Sequence, residues 1–169
     1  MILFTTGTNE QPFDRLVRAA AGLDAGEPLL VQYGSSRVAH GAGEWIDFLP
    51  FDELAARAEQ ARAIVCHAGV GSIMLARRSG HRPIVVPRRH HLGEAVDDHQ
   101  LALARRLGGA GLVTLVEDVD ELAAAIQAPQ AGGAGSDVVS ELQGVDALAC
   151  EVRSVLAGLG CAPLGGRVA

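Results

Sequence analysis

His67, Gly69, Gly71 and Ser72 fall within the six residues HAGVGS, directly behind the apolar run Ile64–Cys66 and ahead of a helix-like segment. Glycines at such a place let the backbone approach a ligand closely, and a serine in the first helical turn adds a hydroxyl. Free N–H groups and the positive helix end make the turn an anion site, suited to a phosphate or diphosphate. The dinucleotide fingerprint G-x-G-x-x-G does not fit. Met74 stands where its third small residue belongs, and the loop follows the fourth apolar run rather than the first. The ordinary alternative is a tight strand-to-helix turn that binds nothing.

Two further loops are chemically rich. TTGTNEQPFD, near the start of the chain, offers backbone and hydroxyl donors at Gly7 and Thr8. PRRHHLGEAVDDHQ carries Arg88, Arg89, His90, His91, Glu94, Asp97, Asp98, His99 and Gln100. Its histidines and acids invite a metal reading, but their spacing matches no familiar ligand pattern, and adjacent histidines tend to point apart. A polar, partly solvated loop is the simpler account. His99 and Gln100, at a helix start, can make directional hydrogen bonds toward the HAGVGS turn, which suits a polyhydroxylated ligand.

The elements that must position these loops alternate regularly. Strand-like runs occur at 2–7, 29–34, 45–50, 63–67, 83–87 and 112–116. Between them lie helical patterns: 12–23, with Phe13, Leu16, Val17 and Ala20 at helical spacing; one after Pro50, capped by Asp52; one beginning near Gly71; one opened by Asp97 or Asp98; and 119–127. Pro12 fits a first helical turn and Gly22 a helix end. Apolar strands separated by helices predict an α/β fold, a single Rossmann-like doubly wound parallel sheet. Ligands bind beyond the carboxyl ends of such strands, where all three loops would lie. Domain organisation is expected as 1–127 for a nucleotide-sugar-binding domain, 128–136 as a small-residue linker, 137–158 as an amphipathic helix and 159–169 as a disordered tail.

Composition excludes several classes. A chain of 169 residues, 49 % hydrophobic, builds one sizeable core and not two full nucleotide-binding domains. A net charge of −6 and 4 % aromatics argue against a nucleic-acid partner. Cys66, Cys150 and Cys161 are scattered and form neither a disulfide framework nor a zinc pattern. The start, MILFTTGTNE, reads as a strand rather than a signal peptide, and no apolar run is long enough to span a bilayer. A cytoplasmic protein is expected.

TTGTNEQPFDRL, HAGVGSIM, RPIVVPR and DDHQLALARRL together resemble, in order and spacing, family 28 glycosyltransferases. The likeness covers about residues 2–127, and it is to the carboxy-terminal, donor-binding half of the GT-B fold. In particular it resembles stand-alone soluble subunits of two-part transferases that use UDP-N-acetylglucosamine-type donors in N-glycan precursor and bacterial exopolysaccharide synthesis. The resemblance implies an inverting transfer from a UDP-sugar to a lipid-linked or glycan acceptor, with no required metal or other cofactor. It implies that Gly69, Gly71 and Ser72 hold the diphosphate and that His67 faces the same cleft. Gly7 and Thr8 would approach the diphosphate or acceptor side, and His99 and Gln100 the sugar or ribose. Arg88 or Arg89 would help to neutralise the leaving group. Many relatives carry a ribose-binding glutamate where this chain has Leu75, so Glu94, Asp97 or Asp98 are candidate substitutes. The catalytic base would come from a membrane-associated partner subunit that completes the cleft. The alternatives are a non-catalytic nucleotide-sugar-binding module and a metal-dependent hydrolase built on the His/Asp loop.

Overall fold

Six short strands form one parallel sheet in the computed structural model, which describes residues 1–129. The helix expected at 137–158, the tail, and all but the first two residues of the linker lie outside the described residues. The strands are β1 (Ile2–Thr5), β2 (Leu29–Gln32), β3 (Glu44–Ile46), β4 (Ala63–His67), β5 (Ile84–Val86) and β6 (Thr114–Leu115). Their order across the sheet is β3-β2-β1-β4-β5-β6. The chain therefore winds outward from β1 to one edge, returns, and winds outward again from β4. The reversal puts the carboxyl ends of β1 and β4 side by side, with Thr5 in register with Cys66. This is the switch point at which doubly wound sheets leave a crevice.

Alternation along the central strands builds a core on each face. Ile2, Phe4, Val65, Ile84 and Val86 pack against Phe13, Leu16 and Ala20 of the α1 (Asp14–Ala21) region and against Leu122 and Ile126 of α5 (Leu122–Gln127). Leu3, Leu30 and Ile64 face the other way, onto Leu54 and Ala58 of α2 (Phe51–Gln60) and Leu75 and Ala76 of α3 (Val70–Arg78). Cys66 and Val85 meet Ile73 of α3 and Leu103, Ala104 and Leu107 of α4 (His99–Gly109). Strands covered on both faces need apolar residues at successive positions, and β1 and β4 have them. A helix as short as α1 is marginal alone, so its place is fixed by burial of Leu16 and Val17, worth about 2 kcal/mol for each such side chain.

Local starts and stops differ in part from expectation. α1 begins at Asp14, two residues after Pro12, and Gly22 caps it at φ −89°, so glycine's conformational freedom is not used there. Pro50, not Asp52, occupies the position before α2, and Asp52 sits inside the first turn, where its charge favours the helix dipole. Asp98 precedes α4 without bonding the helix by its side chain. The 119–127 segment splits into a 3₁₀ turn, Val119–Glu121, and α5. Among the described residues no helix is long and apolar enough to cross a membrane.

Candidate functional site

At the switch point, β1 runs into Thr6, Gly7 and Thr8, and β4 ends in His67. The His67 ring is held between two glycines. A Cβ added to Gly7, which has φ +76°, would lie 2.7 Å from His67 Nε2, and one added to Gly69 would lie 2.8 Å from His67 Cε1. These two glycines are needed for packing the imidazole. Gly71 is different, because a Cβ built on it meets nothing within 4 Å. Protein packing therefore does not require glycine at position 71, and the space in front of it is open.

That space opens on a cleft of about 360 Å³, lined by Thr5, Gly7, Thr8, Gln32, His67, Gly71 and Ser72. Leu49, Phe51, Leu54 and Leu75 supply its apolar lining. The first intrahelical bond of α3 runs from Ile73 N–H to the Gly69 carbonyl at 3.0 Å. The N–H groups before Ile73 have no intrahelical acceptor. No acidic side chain stands in that turn, so its positive end is not offset from within the helix. Ser72 Oγ lies 3.4 Å from His67 Nδ1. The cleft thus joins an anion-attracting end to an apolar wall, a pairing suited to a phosphorylated ligand carrying a flat or apolar group.

Burial drives the His67 pKa down to about 4, the positive charge of Arg88 adds to the fall, and the Thr5 carbonyl opposes it. At neutral pH the ring is uncharged, able to donate from one nitrogen and accept at the other. Thr5 and Gln32 hold the cleft floor. Gln32 Nε2 donates to Thr5 Oγ1 at 3.2 Å, Gly7 N–H donates to the same oxygen at 3.2 Å, and Leu49 N–H donates to Gln32 Oε1 at 3.4 Å. Cys66, one residue from the site, has its thiol pKa pushed up to about 12 by burial, so it is an inert core residue.

A larger groove of about 760 Å³ lies between α1, the β5–α4 loop and the start of α5. Its two arginines are engaged with the protein itself: Arg15 grips Glu94 and the Pro87 carbonyl, and Arg18 reaches Asp14. The smaller cleft, with its open helix end at the switch point, is the better candidate site.

The chain matches the glycosyltransferase family 28 C-terminal domain over residues 1–133. It belongs to that family. Among solved structures it is similar to the glycotransferase of kitacinnamycin, at 21 % identity and a TM-score of 0.55, and to CalG4, the calicheamicin glycosyltransferase, at 18 % and 0.54. In each case the alignment covers 91 % of this chain and 39 % of the neighbour. No curated protein matches the chain. The architecture is that of the C-terminal half of a GT-B glycosyltransferase, and the chain spans well under half the length of these two neighbours.

In this family 28 domain the structure brings Gly7, Thr8, His67, Gly71 and Ser72 together and places Gly69 behind the His67 ring. It sends other sequence candidates elsewhere. Arg88 is 1 % exposed and donates to the carbonyls of Thr6, Gln11, Pro12 and Glu94, so it is not presented to a diphosphate. Arg89 reaches the Glu117 carbonyl at 2.9 Å, toward the end of β6. Glu94 is buried in a two-point ion pair with Arg15 and accepts from Arg89 N–H, which leaves it unsuited to a ribose. Asp97 pairs with His99 at 3.0 Å, and Asp98 accepts from His90 N–H, all on the β5–α4 loop or the start of α4. Gln100 Oε1 accepts from Arg88 N–H at 3.4 Å. Among the described residues no group of three or more His, Cys, Asp or Glu side chains is arranged to hold a metal ion.

Sequence reasoning passed over Thr5, Gln32, Leu49, Phe51 and Leu54. The signal available for Gln32 was a polar residue ending the apolar run LLVQ, informative only once β2 is known to flank β1.

Proposed function

We propose that this domain binds the nucleoside-diphosphate sugar, a UDP-sugar, of an inverting hexosyltransferase whose acceptor is lipid-linked or a glycan. The observation that carries the reading is Gly71, a glycine that the protein's packing does not need, standing in the open first turn of α3 at the sheet's switch point. The diphosphate would lie against the first-turn amides and Ser72, with Thr8 and neutral His67 beside it, and the base and ribose would meet the Leu49, Phe51, Leu54 and Leu75 wall. In the transfer an acceptor oxygen attacks the anomeric carbon as the bond to the diphosphate breaks. The helix-end dipoles stabilise the charge that appears on the departing UDP. The acceptor proton must pass to a general base. His67 is a weak base with a pKa of about 4, and among the described residues no carboxylate lines the cleft. In this reading a partner subunit supplies the base.

That partner would also supply the other wall of the cleft and contact with the membrane where a lipid-linked acceptor resides. Apolar side chains exposed beside the cleft support it. Phe51 is 65 % exposed and Val70 39 %. The joining surface is assigned to the rims of the Gly7 and His67 loops. The test is to assay the purified chain with UDP-sugars and a polyprenyl-linked acceptor, alone and with a co-expressed partner. Transfer only with the partner supports the two-part reading. Robust transfer by the isolated chain overturns it, and nucleotide binding without transfer by any pairing favours the non-catalytic module.

A further inference from the structure

Among the described residues Arg88 is the largest side chain to be almost wholly removed from solvent, at 1 % exposure. Its Nη1 donates to the Gln11 carbonyl at 2.8 Å, the Glu94 carbonyl at 2.9 Å and the Pro12 carbonyl at 3.3 Å. Its Nη2 donates to the Thr6 carbonyl at 2.9 Å. The guanidinium centre lies 4.7 Å from the centroid of the Phe13 ring. Burial lowers its pKa to about 10 against the opposing pull of Glu94, so it stays charged at neutral pH. Nη1 and Nη2 are met by carbonyl oxygens, while the buried Nε finds no partner; such a buried cation is costly, and its fork holds several chain segments in one geometry.

Those segments are the ones that shape the cleft. Thr6 directly precedes Gly7, and the Gly7 backbone is packed against the His67 ring. Gln11 and Pro12 close the same β1–α1 loop, while Glu94 belongs to the β5–α4 loop. Gln100, at the start of α4, accepts from the Arg88 backbone N–H.

We propose that Arg88 is a positioning residue, a single buried guanidinium that ties the β1–α1 loop to the β5–α4 loop and so fixes Gly7 and His67 at the rim of the donor cleft. The role acts through Thr6 and Gly7 and needs no contact with the ligand. It rests on the donor-site reading only where nucleotide affinity is the readout.

The test compares Arg88→Lys and Arg88→Met in the full chain with wild type. Lysine keeps the charge and loses the planar fork; methionine keeps the stem and loses both. Amide signals of Gly7 and Thr8, the titration of His67 followed by NMR, and UDP affinity are measured for each. In R88K, the Gly7 and Thr8 signals move and UDP affinity falls by about fivefold or more, while His67 keeps its low midpoint because the charge remains. In R88M, loss of the neighbouring charge also lets the His67 midpoint rise by about one unit. If R88M does not fold, R88K alone decides. Unmoved Gly7 and Thr8 signals in R88K, with wild-type UDP affinity, overturn the proposal. Should wild type bind no nucleotide, the donor-site reading fails, and the Gly7, Thr8 and His67 signals still decide the role of Arg88.

Discussion

Replacing Gly71 by valine separates a ligand-bearing glycine from the packing glycines beside it. At Gly71 a new side chain enters open space, since an added Cβ finds no atom within 4 Å. Glycine is also among the poorest helix residues, so valine in the first turn of α3 should leave stability within about 0.5 kcal/mol of wild type, or raise it slightly. The same side chain fills the mouth of a cleft of about 360 Å³, where a diphosphate must come within hydrogen-bond reach of the helix-end amides. Affinity for UDP should then drop more than tenfold, a loss of at least about 1.4 kcal/mol. Alanine at Gly69 behaves in the opposite way. Its Cβ would press to within 3.0 Å of an imidazole already backed by Gly7, so it should destabilise the fold by about 1–3 kcal/mol. Thermal melts and calorimetric UDP titrations of both variants make the check. A Gly71→Val protein that is well folded and binds UDP like wild type would refute the reasoning, as would a Gly69→Ala protein as stable as wild type.

Other outcomes follow from the same contacts. The folded-state pKa of His67 is about 4, below its ordinary 6.5, and that of buried His81 is also lowered, so the unfolded chain takes up protons first. Stability should be fully present above pH 6.5 and decline as pH falls toward 4, with His67 alone accounting for about 3 kcal/mol; Tm measured across that range for wild type and His67→Gln tests it, the variant losing much of the slope. Glu94→Gln leaves Arg15 without its two-point carboxylate partner and should cost about 3 kcal/mol, read by urea unfolding. In a reconstituted transferase, EDTA should leave the rate nearly unchanged, because helix-end dipoles offset the leaving-group charge in the proposed mechanism; complete loss restored by a divalent ion would contradict that.

The sheet was legible because β1, β4 and β5 are apolar at successive positions and are separated by helical patterns, which only a parallel sheet covered on both faces accommodates. The cleft's two principal loops were legible because their glycines stand at strand ends. What each glycine does was not. Gly69 and Gly71 read alike in HAGVGS, yet one accommodates the His67 ring and the other faces open space, a difference created by the approach of Gly7 from β1, sixty residues away in sequence. The arginines misled for a related reason. Arg88 and Arg89 follow a strand at the ligand edge, where a free cation would serve a diphosphate, but Arg88 turns inward to four carbonyls and Arg89 toward Glu117. Glu94 was drawn off by Arg15, a partner 79 positions away. Such pairings depend on tertiary proximity that a local pattern does not carry.

The central claim is that a nucleoside diphosphate binds at the β1–β4 switch point, and an NMR titration of the isotopically labelled chain with UDP tests it most directly. Shifts concentrated at Gly7, Thr8, His67, Gly71 and Ser72 are the predicted result. Shifts centred instead on the larger groove, at Arg15, Arg18 and Asp120, or no shifts at millimolar UDP with or without a partner subunit, would contradict it.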